Sequence, residues 1–105
     1  MAGPFHELKC WPSYFEALAE RRKLFEMRFN DRDYQKGDIL HEREWQPAPT
    51  WKVNRAGNYT GRSIKCLVTY VLRDSDPDDI GLTPEFVPDG WCIMGLRIIE
   101  GTYEE

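Results

Sequence analysis

The stretch AERRKLFEMRFNDRDYQKGDIL, residues 19–40, decides how this chain folds. Residues 24–30 within it alternate between apolar and polar side chains, which is typical of a β-strand buried on one face. The segment NDRDYQKGD that follows is rich in Asn, Asp and Gly and therefore predicts a turn. Gly37 is expected to supply a positive φ at the end of that turn, before a further strand begins.

The charged residues ahead of this strand close a predicted helix. Tyr14, Phe15 and Leu18 fall on one face of a helix over residues 12–21. Pro12 is tolerated in a first helical turn, where its missing N–H has no intrahelical partner to lose. The sequence therefore predicts a short amphipathic helix that ends at the basic cluster.

The remaining segments complete an α+β domain. Residues 62–72 are apolar on both faces, which favours a central strand. The predicted strands cover residues 5–11, 24–30, 38–45, 62–72 and 91–99. One helix inserted after the first strand, followed by four more strands, predicts a small β-barrel of about five strands.

The two faces of the strand over residues 24–30 have different expected roles. Phe25 and Phe29 share one face and are expected to pack in the core. Glu26 and Arg28 share the opposite face. They form either a surface ion pair, worth about 0–1 kcal/mol, or a carboxylate and a guanidinium that face a ligand. Spacing alone leaves both interpretations open.

Length and composition indicate one domain. With 105 residues, of which 41% are hydrophobic, the chain is expected to fold as a single unit over residues 1–105, with residues 100–105 as a flexible tail. No apolar run reaches the roughly 18–20 residues of a membrane span, and the N-terminus lacks the pattern of a signal peptide. We therefore expect a cytoplasmic protein with no membrane partner.

The cysteines are odd in number and widely spaced. Cys10, Cys66 and Cys92 are therefore expected to be buried thiols in a reducing compartment. A zinc site would need paired spacing and a fourth ligand, for which only His6 and His41 are available. We expect neither a metal nor another cofactor.

The charge distribution narrows the class of ligand. A formal net charge of −4 argues against a grip on long duplex DNA, because phosphate contacts dominate that affinity. Residues 20–37 carry six Arg or Lys against four Asp or Glu, whereas residues 73–89 carry one Arg against six Asp or Glu. A basic patch within an acidic chain suits a nucleotide or a short single strand. The acidic segment 74–89 is a candidate surface for a protein partner.

The residues HELKCWPSYFEALAERRKLFEMRFNDRDYQKGDILHEREW, 6–45, are similar to an ASCH-like family of small bacterial and phage proteins. The pattern of that family is approximately HELK, a P-x-Y/F helix, G-K-K-x-F-E-I-R, and then N-D-R-x-F-x-x-G-D. The resemblance implies the pseudobarrel fold shared by ASCH and PUA domains. It also implies recognition of RNA or a modified nucleotide in a cleft beside the corner between the helix and the second strand.

The ASCH hallmark G-x-K-x-x-x-x-R has a polar residue three positions after the Lys. Lys23, Glu26 and Arg28 stand at those positions, and Arg21 stands at the glycine. That glycine normally ends the helix in a left-handed conformation, which costs another residue about 1 kcal/mol. The resemblance favours a ligand-facing role for the hallmark residues, although Lys23 by itself would equally suit a solvated corner.

The resemblance also implies an alternative function as an enzyme. ASCH-like proteins include ribonucleases and small amidohydrolases that act on acetylated cytidine. The catalytic groups of those amidohydrolases are a Lys, a Thr three residues later and a Glu in a later loop. By position Lys23 matches the Lys, Glu26 replaces the Thr, and Glu85 is the candidate for the loop Glu. The missing hydroxyl favours a binding module over a small RNA or nucleoside hydrolase.

Further candidate ligand contacts surround the hallmark residues. Tyr34 lies in the turn between two cations and is expected to stack on a base. His6 of the HELK motif is either a ligand contact or a hydrogen-bonded structural residue. The candidates for phosphate contacts are Arg22, Arg32 and Lys36. The aromatic residues interleaved with cations are Trp11, Tyr14, Phe25, Phe29 and Tyr34.

Overall fold

The computed structural model of the protein describes residues 4–49, 51, 56–74 and 87–102. Its elements are β1 (Phe5–Cys10), α1 (Pro12–Ala19), β2 (Phe25–Phe29), β3 (Ile39–Gln46), β4 (Asn58–Arg73) and β5 (Trp91–Thr102). Type and order agree with the sequence analysis. Most boundaries differ by only one or two residues, but β4 starts four residues earlier than predicted, and β5 continues three residues into the segment expected to be a flexible tail. Gly101 and Thr102 are ordered because they pair with β4.

The five strands form one sheet in the order β1-β3-β4-β5-β2. β1 runs parallel to β3, and every other neighbouring pair is antiparallel. A parallel pair requires a crossover connection, and here the crossover contains α1 and β2. The sheet bends into a half-barrel with β1 and β2 as its two edge strands. Residues close together in sequence on either side of α1 therefore lie on opposite edges of the sheet.

The concave side of the sheet holds the core. Alternate residues of the strands point into it, including Leu40, Ile64, Cys66, Val68 and Met94. α1 adds Phe15 and Leu18 to the same cluster. All three cysteines are buried free thiols, as predicted, and burial raises the pKa of each thiol, that of Cys66 to about 12. In the described part of the chain, no helix is long and apolar enough to cross a membrane.

The orientation of β2 is opposite to the expected one. Phe25 and Phe29, predicted to lie in the core, are 48% and 55% exposed, whereas Glu26 is only 7% exposed. The predicted alternation is correct, but the polar face is the one that points into the half-barrel. The burial of Glu26 is possible because Arg28 pairs with it at 2.7 Å on the same face. On the outer face, Phe29 packs edge-on against Trp91, with ring centroids 6.1 Å apart.

Arg62 of β4 fastens α1 to the sheet. Its Nε and Nη2 donate to the two carboxylate oxygens of the buried Glu44 of β3, at 2.7 and 2.8 Å. Nη2 also donates to Glu16 of α1 at 2.8 Å, and the guanidinium lies 4.8 Å from the ring centroid of Phe15. A two-pronged charged contact of this kind is stronger than a hydrogen bond between neutral groups, and it fixes the helix relative to β3 and β4.

The C-terminus of α1 is closed by a residue in the left-handed region. Arg21, at the position of the hallmark glycine, has a φ of 60°. The N–H groups of Arg21 and Arg22 donate to the carbonyls of Leu18 and Ala17, at 2.9 and 2.8 Å. These two bonds constitute a Schellman motif. Gly37 has the positive φ that the turn before β3 was expected to require, 95°.

We expect the substitution Arg21→Gly to raise the free energy of unfolding by about 0.5–1 kcal/mol. Glycine removes the steric cost of the left-handed conformation, and part of that gain is offset by the greater freedom of the unfolded chain. Urea denaturation followed by circular dichroism measures the difference. Arg22→Gly is the control, because residue 22 has no positive φ, and it should not stabilise the fold. Equal effects of the two substitutions would contradict a strained Arg21.

Candidate functional site

A pocket of about 590 Å³ opens between the two edge strands, and we call it the edge pocket. Charged residues from both edges and from the turn after β2 line it, namely Lys9, Glu26, Arg28, Asp31 and Arg32. The aromatic residues in its walls are Trp11, Tyr14, Phe29, Tyr34 and Trp91. The rest of the lining is Leu8, Cys10 and Met27. Cations, carboxylates and aromatic rings therefore meet in one recess.

Two arginine side chains bridge the gap between the edge strands. Nη2 of Arg28 donates to the backbone carbonyl of Lys9 at 2.8 Å, and Nη1 of Arg32 donates to that of Glu7 at 3.0 Å. β1 pairs with β3 along its other edge, so these carbonyls belong to the edge that lacks a strand partner. An unpaired backbone acceptor is costly when it is shielded from water. The arginines thus replace part of a missing strand.

Glu26 is held between two cations. Nε of Arg28 donates to its Oε2 at 2.7 Å, and Nζ of Lys23 lies 3.4 Å from its Oε1. Burial acts to lower the pKa of Arg28, but the charge of Glu26 and its hydrogen bond outweigh that effect and raise the pKa. The two cations thus contact different oxygens of the same carboxyl group. The edge pocket therefore has a carboxylate wall that is fixed in position by its neighbours.

Lys23 lies beside the edge pocket and outside its walls. It lines a smaller adjoining recess together with Tyr14, Phe25, Glu26 and Met27. The Lys23 ammonium donates to the backbone carbonyl of Phe25 at 2.8 Å and lies 5.1 Å from the centroid of that ring. Lys23 therefore helps to hold the side chain of Glu26 in position. Glu26 itself lines both recesses.

Glu42 of β3 is an acidic residue in the core. It was not among the predicted site residues. Its side chain is fully buried, and neither carboxyl oxygen has a hydrogen-bond partner among the described residues. Burial, and then the negative charge of the nearby Glu26, raise the pKa of Glu42 well above its ordinary value. The protonated acid is thereby favoured. A signal for this position existed, since Glu42 shares the parity of the core residue Leu40 on β3.

Of the other predicted ligand contacts, the structure brings Arg32 and Tyr34 into the edge pocket, together with Glu26 and Arg28. Tyr34 differs from the expected stacking position, because it is 1% exposed and its ring packs edge-on against His6 at 4.8 Å. Burial raises the pKa of its hydroxyl. Tyr34 therefore forms a fixed part of the wall and cannot offer an open face to a base.

Besides Lys23, three further predicted contacts lie outside the edge pocket. Arg22 is exposed and pairs with Glu20 at 2.7 Å. His6 shares a hydrogen bond with Asp38 at 2.8 Å and so supports the turn before β3. Lys36 is an exposed residue of that turn. Their positions favour the structural alternative for His6 and make Arg22 and Lys36 surface cations.

The remaining candidates fall outside the described residues. Glu85, the proposed loop carboxylate of a hydrolase, is one of them, and so are residues 75–86 of the acidic segment. Among the charged and aromatic wall residues, those that the sequence did not suggest as candidates are Lys9, Asp31 and Trp91. Lys9 and Asp31 are close in sequence to predicted residues, whereas Trp91 comes from β5 and joins the pocket only through the pairing of β5 with β2.

The chain matches known proteins over most of its length. Residues 5–96 match the family described as "Domain of unknown function (DUF3850)". An "Uncharacterized 12.9 kDa protein in GpA 3'region" of Escherichia phage P2 is 34% identical over 76 residues. The match covers 72% of this chain and 62% of the phage protein, so the chain spans less than two thirds of that relative.

We expect Glu42→Leu to stabilise the fold at neutral pH by about 1–3 kcal/mol, because it removes a fully buried carboxyl group that lies beside the carboxyl group of Glu26. The pKa of Glu42 is higher in the folded protein than the ordinary pKa of a glutamate, which is 4.5. The free energy of unfolding of the wild type therefore falls as the pH rises from 4.5 towards the pKa of the folded state. The gain should therefore be larger at pH 7 than at pH 4. Thermal unfolding at both pH values measures it.

Glu44→Leu is the matched control on the same face of β3. Its hydrogen bond from Arg62 lowers the pKa of Glu44, so this carboxylate stabilises the fold at neutral pH and stops doing so as the pH falls. Glu44→Leu should therefore destabilise the protein at pH 7. If both substitutions destabilise equally, Glu42 has a partner that balances its burial.

Proposed function

The chain belongs to the DUF3850 family of unknown function, and we propose that its edge pocket binds RNA or a modified nucleotide. One observation carries this proposal: aromatic rings, tethered guanidinium groups and a charged carboxylate line the same recess. Aromatic rings stack on splayed bases, guanidinium groups bind phosphate, and a carboxylate accepts hydrogen bonds from base amino groups. This combination fits a nucleotide better than an apolar small molecule.

The aromatic side chains are available for stacking at the rim of the pocket. Trp11 and Tyr14, where β1 passes into α1, are 53% and 57% exposed. Trp91 lines the pocket from β5. Stacking of a base on such a ring contributes about 1–3 kcal/mol and tolerates any base. Trp11 and Tyr14 take the role that the sequence analysis gave to Tyr34.

The size of the pocket supports a single nucleotide or the end of a strand as the ligand. Its volume of about 590 Å³ falls in the range of about 300–1,000 Å³ that small-ligand sites occupy. A long duplex would instead require an extended basic surface. The formal net charge of −4 is unsuited to that mode of binding.

We further infer that the domain is an ASCH/PUA-like pseudobarrel whose ligand cleft corresponds to the edge pocket. The support comes from position. Lys23, Glu26 and Arg28 stand at the helix–strand corner that the family pattern marks, and Glu26 contacts both cations. The single helix after β1 and the five-stranded sheet are compatible with this architecture.

The second candidate function is a small hydrolase of RNA or acylated nucleosides, with Lys23 and Glu26 in acid–base roles. A buried carboxyl group with a raised pKa next to Glu26 favours it, since perturbed pKa values cluster at functional sites. Glu42 is that group, and its pKa is raised by burial and by the charge of Glu26. The Lys23 ammonium, however, already binds Glu26 and the carbonyl of Phe25. Binding without turnover is therefore the preferred function.

To test binding, short single-stranded RNAs and nucleotides are titrated into the ¹⁵N-labelled protein while backbone amide shifts are recorded. Saturable shifts should cluster around the edge pocket. Trp11→Ala should weaken binding at least fivefold because it removes a stacking ring. Trp51→Ala is the control, since Trp51 is exposed and lies outside the pocket walls. The proposal fails if millimolar ligand gives no clustered shifts, or if the two substitutions have equal effects.

Incubation with acetylated cytidine and with RNA decides the hydrolase alternative. A hydrolase should release acetate or cleave the strand, and Lys23→Ala should reduce the rate at least a hundredfold if Lys23 is an acid–base group. Liquid chromatography of the products measures both reactions. The alternative is excluded if no product forms or if the activity survives Lys23→Ala.

A further inference from the structure

We propose that the edge pocket selects a terminal phosphate, a phosphomonoester at the end of a nucleotide or RNA strand, through the paired guanidinium groups of Arg28 and Arg32. This inference rests on the proposed function and specifies which part of the ligand enters the pocket. It depends on four properties of the two side chains: their tethers, their spacing, their unused donors and the charge around them.

The tethers hold both side chains in place before any ligand arrives. Arg28 is fixed by Glu26 and by the carbonyl of Lys9, and Arg32 is fixed by the carbonyl of Glu7. Ordering a free arginine would reduce affinity through lost rotamer entropy. Here that ordering belongs to the folded state. The two guanidinium groups are therefore preorganised.

The spacing of the tethers suits one phosphate group. Glu7 and Lys9 are alternate residues of one strand, so their carbonyls lie roughly 6–7 Å apart on the same edge of β1. A phosphate that accepts charged hydrogen bonds of about 2.8 Å on two sides spans a similar distance. One tetrahedral anion can therefore contact both arginines.

Both arginines retain N–H groups that could donate hydrogen bonds to that anion. Arg28 uses Nε and Nη2, and Arg32 uses Nη1, in their contacts within the described residues. Nη1 of Arg28 and both Nε and Nη2 of Arg32 have no acceptor there. Guanidinium nitrogens bind phosphate oxygens in a planar fork that a lysine ammonium cannot reproduce. The pocket thus presents unused donors on two fixed planes.

The local charge favours a dianion. Arg28 and Arg32 line the pocket together with the carboxylates Glu26 and Asp31, whereas the ammonium of Lys9 lies over the ring of Trp45, outside the walls. The charge of Glu26 is also compensated from outside the walls by Lys23, so a net positive charge remains. A phosphomonoester carries about −1.5 to −2 charges at pH 7, whereas a diester within a strand carries one. The two arginine bridges also cross the gap between β1 and β2, so a strand end fits there better than a strand that passes through.

Isothermal titration of matched RNA trinucleotides tests the inference. The set comprises one with a 5′-phosphate, one with a 3′-phosphate and one with neither, and ribose 5-phosphate and inorganic phosphate test the anion alone. A terminal phosphate should strengthen binding at least tenfold, and the comparison of the 5′ and 3′ forms identifies the end. The inference is overturned if all three trinucleotides bind equally well. In that case RNA binding itself still stands.

Arg32→Gln and Arg32→Lys examine the contact directly, because Arg32 is exposed and Arg28 retains the other bridge between the edge strands, so the fold should stay intact. Both should weaken binding of the phosphorylated RNA much more than binding of the unphosphorylated form, so that most of the preference is lost. Arg97→Gln, an exposed arginine of β5 outside the pocket, is the matched control and should change neither affinity. An equal loss for all RNAs would contradict a phosphate-specific role. Binding of ribose 5-phosphate without any RNA binding would support the anion site and overturn the nucleotide proposal, and no binding by any probe would overturn both.

Discussion

The unpaired edge of β1 is the constraint on which the rest of this structure depends. A half-barrel leaves the backbone groups of its edge strands without a ladder, and such groups need other partners when they are shielded from water. Here Arg28 of the opposite edge strand and Arg32 of the turn after it supply hydrogen bonds, at 2.8 Å to Lys9 and 3.0 Å to Glu7. The same contacts bridge the gap of the half-barrel and leave a recess between its edges. Fold closure and site formation are therefore one event.

The inward polar face of β2 follows from this arrangement. A strand that faced the gap with phenylalanines would close it as a dry core and offer no hydrogen bonds to β1. With Glu26 and Arg28 inside, the gap is bridged but remains an open recess with charged walls. Glu26 is tolerated there because Lys23 and Arg28 share its charge. Glu42 is buried nearby, and neither of its carboxyl oxygens has a hydrogen-bond partner among the described residues. Its burial therefore lowers the stability of the fold next to the pocket.

Periodicity along the sequence was sufficient to predict the helix, the five strands and the shared face of Glu26 and Arg28. It could not tell which face of β2 is concave, because that depends on the strands beside it and on the bend of the sheet. Hydrophobicity then suggested the wrong side for Phe25 and Phe29, which pack on the outer surface. Trp91 could not be assigned to the site for a related reason, since its place depends on the pairing of β5 with β2. Glu42 was within reach of prediction, as its parity on β3 is that of a core residue.

The order of strands in the sheet has a consequence for biosynthesis. In the described sheet β2 has β5 as its strand neighbour, and β5 is the last strand to leave the ribosome. Long-range pairing of this kind forms late, because a large loop must close first. The nascent chain can therefore hold β1, α1, β3 and β4 together while one wall of the pocket is still missing. The edge pocket is therefore complete only once β5 has docked and β2 has paired with it.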